Sequence, residues 1–227
     1  MKHRSRIKSL ILPLLLIIPS PLLAQEQVTD TLSPVVVTAA RSEQSVETTP
    51  AHVTVIELDD IRSSGARTVP DLLKAEAGIR VSDLLGNGKT AKVDLRGFGE
   101  TAGSNTLVLV DGRRVNAVDL SGTDWLQIPL EQIERIEIVR GTGSVLYGDN
   151  VSGGVINIIT RTPGPGVEVH LGTDFGSYDD DRQWATLDGG TDLLAFSLSG
   201  SLRDTDGYRD NGFLDSEDLG GSISFYP

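Results

Sequence analysis

The chain has 227 residues, 20 of them basic and 32 acidic, for a formal net charge of −12. That balance excludes nucleic acid as a natural partner. The absence of cysteine excludes a disulfide framework, a thiol nucleophile and a thiolate metal site, while 25 glycines predict many turns and close backbone approaches rather than long helices.

The first element is a leader. Lys2, Arg4, Arg6 and Lys8 form a basic head, and the run from Leu10 to Leu23 is apolar except where Pro13, Pro19, Ser20 and Pro21 break it. Ala24 follows as a small residue for cleavage. This pattern predicts a secretory signal peptide over residues 1–24, because the run is too short and too rich in proline to span a membrane. A retained N-terminal anchor is the alternative. Residues 25–48 follow as a linker holding "DTLSPVVVTAA". Val35, Val36, Val37 and Thr38 are strong strand formers. Pro34 stands before them, and no hairpin signal follows. The reading is a lone, unpaired strand, although such edges invite wrong pairing.

Residues 49–162 read as an α+β domain, a small mixed sheet with short helices. "AHVTVIEL" (Ala51 to Leu58) alternates as a strand. "TVPDLLKAEAG" predicts a short helix capped by Thr68, with Pro70 in its first turn, Asp71 at the capping-box position and Gly78 as its stop. "KVDLRGFG" and "NTLVLVDGRRVN" predict further strands, the second broken by the turn pair Asp111-Gly112. "IPLEQIERIEIVRG" predicts a helix beginning at Pro129 that passes into a strand over Ile136 to Val139, and "GGVINIITR" predicts the last strand.

Residues 163–227 have a different texture. In "TDLLAFSLSGSLRD", Leu194, Phe196, Leu198 and Leu202 share one face, with Ala195, Ser197, Ser199 and Ser201 on the other. "GSISFY" repeats the pattern. Apolar residues outward and small polar residues inward, in segments of about ten, suit strands of an outer-membrane barrel. A half-exposed strand of a soluble sandwich is the alternative. The short "GGTD" connection against the longer acidic "SYDDDR" and "DTDGYRDNGFLDSED" favours the barrel, whose turns are short on one side and long on the other.

Other chemistry is not supported. "DLLGNGKT" has Asp83 where a P-loop needs its leading glycine, and "GTGSVL" has two of three Rossmann glycines and ends in Leu146. His52 and His170 are the only histidines beyond the leader and lie far apart in sequence, so a histidine-based metal site or triad is not expected. Asp179, Asp180 and Asp181 suggest a calcium site or, more simply, a solvated loop. No catalytic constellation and no cofactor site is expected.

"DTLSPVVVTA", "LRGFG", "LVLVDGRRVN", "IERIEIVRGTGSVLYG" and "GGVINIITR" resemble, in order and spacing, the landmarks of TonB-dependent outer-membrane receptors, and "SLRDTDGYRDN" resembles the start of their barrel. The resemblance implies a plug domain followed by the first strands of an antiparallel β-barrel in the bacterial outer membrane, and a transporter rather than an enzyme. The box comprises Asp30, Thr31, Leu32, Val35, Val36, Val37, Thr38 and Ala39, with Ser33-Pro34 separating its head from the valines. It would be lent by β-augmentation to the TonB protein of the inner membrane. Implied cargoes are a ferric siderophore, haem or cobalamin. "VNAVDLSGTDWLQIP" is similar to the plug apex of cobalamin-type receptors. Candidate apex contacts are Asn87, Gly88, Asp119, Ser121 and Trp125, ordinary surface loops being the alternative. Arg96 and Arg140 are implied to lock the plug to barrel glutamates, whereas without those partners they should stay hydrated. A plugged barrel of 22 strands needs roughly 220 residues in its strands alone, and Gly166 to Pro227 suffices for about four strands. The expectation is therefore part of a receptor, with a plug-only periplasmic binding module or a non-functional fragment of a receptor gene as alternatives.

Overall fold

The computed structural model describes residues 35–36, 44–45, 52–119, 121–141 and 147–226, the first two pairs by their backbone alone. All belong to one compact unit, Ser33–Pro227. Strand β1 (Val35–Val36) pairs antiparallel with β2 (Gln44–Ser45), Val35 opposite Ser45 and Val36 opposite Gln44. This corrects the expectation of an unpaired strand. Two residue pairs in one ladder suffice to pair so short a segment without any dipeptide turn signal.

The mixed domain is built on a five-stranded sheet in the order β3-β8-β9-β6-β7. β3 (His52–Glu57) alternates as its sequence predicts, burying Ile56. It runs directly into α1 (Leu58–Ser63), a six-residue helix without apolar periodicity, where the Asp60 carboxylate accepts from the Glu57 backbone N–H at 3.3 Å. α2 (Val69–Leu73) is the predicted helix. Thr68 Oγ1 accepts from the Asp71 N–H at 3.3 Å, and Val69, Leu72 and Leu73 are buried. It ends at Leu73, before Gly78, which takes φ +77° in the turn to β4. β4 (Arg80–Ser82) and β5 (Lys92–Asp94) form a separate antiparallel pair.

β5 stops at Asp94 instead of continuing through "LRGFG", for a local reason. The Asp94 carboxylate accepts from the backbone N–H groups of Arg96, Gly97 and Phe98 through Oδ1 (3.1, 2.8 and 3.0 Å) and of Gly99 through Oδ2 (2.7 Å). Those donors are turned inward around one carboxylate and are lost to any ladder. β6 (Thr106–Val110) and β7 (Arg113–Arg114) flank Asp111 (φ +50°) and Gly112 (φ +77°), the two positive φ values of a tight hairpin turn. Where a helix was expected at Pro129 there is a single 3-10 turn, Leu130–Gln132, and β8 (Ile133–Arg140) begins three residues earlier than predicted. Ile133, Ile136 and Ile138 are fully buried, and burial of β-branched residues outweighs the weak helical signal. A register shift between Ile133 and Arg135 accommodates the entry. β9 (Gly154–Thr160) lies between β8 (antiparallel) and β6 (parallel), with Val155, Ile156 and Ile158 buried. A strand covered on both faces reads as a continuous apolar run, as "GVINII" does.

The tail is a four-stranded antiparallel meander, β10 (Gly166–Phe175), β11 (Asp181–Gly190), β12 (Leu194–Thr205) and β13 (Leu214–Phe225). The β11–β12 connection is short, and the β10–β11 and β12–β13 connections leave from the opposite end.

Candidate functional site

The two faces of the meander differ as its alternation requires. Leu171 (74%), Leu219 (91%) and Ile223 (78%) are exposed on the outer face. Thr186, Ala195 and Ser197 are buried on the inner face, which lies against the mixed domain.

Charged side chains join the two. Arg182 of β11 donates from both terminal nitrogens to the Glu131 carboxylate at 2.8 and 3.0 Å, a two-point geometry that holds orientation as well as position. Its Nη1 also lies 3.7 Å from Asp174. Asp180 is bracketed. Arg67, from the α1–α2 loop, donates to its Oδ2, and Arg203 of β12 donates to Oδ1 at 3.1 Å and Oδ2 at 3.3 Å. Arg67 also reaches the Phe175 carbonyl at 2.6 Å, and Arg203 the Asn87 carbonyl at 3.4 Å. Gln132 donates to Ser197 Oγ at 3.2 Å, and Ser197 donates to Asp188 at 2.5 Å. Asp180 was a sequence candidate only as a calcium ligand and Asn87 only as an apex contact; the arginines, Glu131 and the other partners were not candidates. The signal was present, since Arg203 occupies the inward phase of β12, filled otherwise by Ala195, Ser197, Ser199, Ser201 and Thr205, and Arg182 shares the inward phase of β11 with Trp184, Thr186 and Asp188.

At the end with the longer connections, the Leu84–Thr90 loop meets the β12–β13 loop. Asp83 accepts from Gly86 N–H at 2.8 Å and Gly88 N–H at 2.7 Å. Both glycines have positive φ, and any side chain at Gly86 would overlap the Tyr208 ring. Arg209 donates to the Leu84 carbonyl at 2.9 Å and sits over Tyr208, whose ring lies 6.3 Å from that of Tyr178. The Asn87 side chain is buried and accepts from Lys89 N–H at 3.2 Å, so it shapes the loop rather than facing outward. Gly88 rests on Thr68. Asp119 accepts from Ser121 N–H at 3.1 Å in an exposed turn. The Ser121 hydroxyl, and then its N–H, hold the Asp119 carboxyl below its ordinary pKa. Trp125 is 2% exposed and donates to the Ala91 carbonyl at 2.7 Å, which corrects its expected place on the surface: it is core. Its indole fills the space beneath the loop with its one donor satisfied.

Arg96 is exposed. Arg140, expected to stay hydrated, instead donates to Thr54 Oγ1 at 2.6 Å and the Ala77 carbonyl at 2.9 Å, with His52 Nδ1 at 3.2 Å. Neighbouring strands and the α2–β4 turn present those acceptors within its own domain. Val35 and Val36 lie on β1, whereas Asp30, Thr31, Leu32, Val37, Thr38 and Ala39 lie outside the described residues. In the acidic run Asp180 is taken by arginines and Asp181 opens β11. Among the described residues no group of three or more His, Cys, Asp or Glu is placed to hold a metal ion.

Residues 45–155 match the TonB-dependent Receptor Plug Domain. The chain is 40% identical over 145 residues to the vitamin B12 transporter BtuB of Vibrio cholerae serotype O1, covering 64% of this chain and 23% of that protein. It thus spans about a quarter of the length of the curated relatives it matches. Among solved structures, the siderophore receptor PirA from Pseudomonas aeruginosa is 29% identical with a TM-score of 0.57, over 76% of this chain and 32% of that one. The pyoverdine outer membrane receptor FpvA of Pseudomonas aeruginosa PAO1 superposes with a TM-score of 0.70 at 20% identity, over 84% of this chain and 27% of that one, a likeness of fold.

Proposed function

We propose, from the premise that this chain belongs to the TonB-dependent receptors of the outer membrane, that it supplies the plug and first wall strands of a transporter that takes up a scarce solute at energy drawn from the inner membrane. The observation that carries the reading is the ion-paired seating of the plug on the inner face of a sheet whose outer face is apolar, Glu131 on Arg182 above all. A soluble plug-only module would have no use for an outer face that exposes Leu219 and Ile223 to this degree. The solute is a cobalamin in preference to a ferric siderophore. The greater identity to a B12 transporter than to a siderophore receptor favours it, as does the 115–129 stretch.

The TonB protein would engage the segment around Val35 and Val36 by strand addition. Proline at Val36 removes a backbone donor from that strand. In cells whose only cobalamin receptor is the full-length protein, Val36→Pro should abolish accumulation of labelled cyanocobalamin and leave its binding to the cell surface intact. Normal accumulation in the variant, or loss of surface binding with it, would sink the assignment.

A further inference from the structure

Three loops stack at the end of the meander with the longer connections. The Tyr178 carbonyl, in the 176–180 loop, accepts from the Asp206 N–H at 2.9 Å and from Thr205 Oγ1 at 3.3 Å, and the Tyr178 ring tilts toward Tyr208. The 206–213 loop, supported in this way, meets the 84–90 loop of the plug through that loop's backbone. The Leu84 carbonyl accepts from Arg209 Nη1 at 2.9 Å, and the Asn87 carbonyl from Arg203 Nη1 at 3.4 Å. Between them the Leu85 carbonyl lies so close to Gly212 that a Cβ there would stand 2.8 Å from it. The Leu84 and Leu85 side chains, 80% and 41% exposed, are left to solvent.

The plug fixes the second half of this loop. Asp83 accepts from the Gly86 and Gly88 N–H groups, and Gly88 rests on Thr68. Among the described residues the hydrogen bond to the 84–85 corner comes from the wall, from Arg209. Gly86 and Gly88, with φ +78° and +82°, leave the loop many shapes once it is untethered. Those shapes are given up when a solute binds, and the ordering lowers affinity. A tether that orders the corner beforehand removes that cost.

The guanidinium of Arg209 is built in rather than held ready for a solute. Its Nη1 is engaged by Leu84, its Nε donates to Tyr208 Oη at 3.2 Å, and the group lies 5.3 Å from the Tyr208 ring centre. Tyr208 in turn covers Gly86, where any side chain would overlap its ring. We infer that Arg209, backed by Tyr208, is a positioning residue for solute binding: from the wall it holds the 84–90 loop of the plug in the shape that receives the solute, without touching the solute itself. The inference rests on the transport reading above and deepens it at the plug apex.

The test uses the full-length receptor in outer membranes, with a nitroxide spin label on Leu84→Cys, whose side chain is exposed and whose carbonyl is kept. Without solute, Arg209→Ala should speed the motion of that label severalfold, and Tyr208→Ala should do the same with the arginine still present. A label on Leu171→Cys, on the outer face of β10, should be unmoved by either change. Cyanocobalamin, the probe, should bind both variants roughly tenfold more weakly, since part of the binding energy must then order the loop. Weaker binding with an unmoved Leu84 label would mean that Arg209 touches the solute, and the positioning role would fall. A loosened label with unchanged affinity would mean that the solute does not use the shape of the loop, and would overturn the inference equally. Loosening at Leu171 as well would make the effect a general loss of the wall and overturn it too. If the unmodified receptor binds no cyanocobalamin, the cargo reading fails by itself, while the Leu84 label still decides whether Arg209 holds the loop.

Discussion

At the scale of the residue, Asp94 shows how one side chain fixes a landmark. Burial acts to raise its pKa, but the N–H groups of Gly99, Phe98, Arg96 and Gly97 outweigh it and hold the carboxyl below its ordinary value. A carboxylate whose folded pKa is depressed contributes stability in full above the unfolded pKa, near 4, and loses it as the pH falls through the lower folded value. Asp94→Ala should therefore cost about 2–4 kcal/mol at neutral pH, since four donors lose one charged acceptor. The cost should shrink as the pH is taken below about 4. Denaturant unfolding followed by Trp125 fluorescence reads both, and a pH-independent difference would refute the ionic account. Arg140 makes the opposite point. Its sequence context in "VRG" implied a partner in the barrel, yet its guanidinium is already committed to Thr54 and Ala77. Arg140→Ala should cost about 1–2 kcal/mol in this chain on its own. A difference below about 0.5 kcal/mol would mean that water serves the guanidinium equally well.

At the scale of the element, legibility followed periodicity. β3, β6, β9 and β12 could be read because alternation or a continuous apolar run is fixed by which faces are covered. The α2 start could be read because Thr68, Pro70 and Asp71 act within one turn. Thr68→Ala should cost about 1 kcal/mol, seen as a lower denaturation midpoint with an unchanged slope. The misses were of two kinds. α1 and the Leu130–Gln132 turn are one or two turns long, and at that length tertiary packing rather than propensity decides. The apex candidates were chosen as polar residues in loops, yet Trp125 is core and Asn87 points inward. The seam was within reach of the sequence, because period two sets the inward phase of Arg182 and Arg203, but Glu131 lies 51 residues from Arg182, and Arg67 lies 113 residues from Asp180, the carboxylate it shares with Arg203. Nothing local encodes such pairing.

At the scale of the whole molecule, the question is what keeps a four-stranded meander in place. Strand count alone predicts a labile tail, since few strands bury little. The seam alters that expectation by adding Glu131–Arg182, Arg67–Asp180 and Arg203–Asp180, most of whose charged groups are 11–16% exposed. Arg182→Ala leaves the Glu131 carboxylate largely desolvated without its partner, a loss of roughly 3–5 kcal/mol when burial is complete and somewhat less here. Limited proteolysis should then cut the 163–166 connection and the meander well before the plug, whereas the unmodified chain should lose both together. Equal susceptibility of the meander in both chains would show that the ion pairs do not anchor it.

The strand order carries a mechanical consequence. β3 is the outermost strand of the plug sheet on its side, bonded to β8 alone, and it is the first plug strand met from the N-terminus. A tug arriving along residues 46–51 reaches a margin of the sheet and not its middle. Peeling away the six residues of β3 would lengthen the tether by about 20 Å, at some 3.3 Å per residue, and would leave the β8-β9-β6-β7 ladder whole. Work done on one end of the chain can thus be taken up as slack by a single strand while the buried isoleucines of β8 and β9 stay packed. Stretching the receptor between its N-terminus and the meander should show a first extension of about that length. A first step several times longer would mean that the sheet yields as one body.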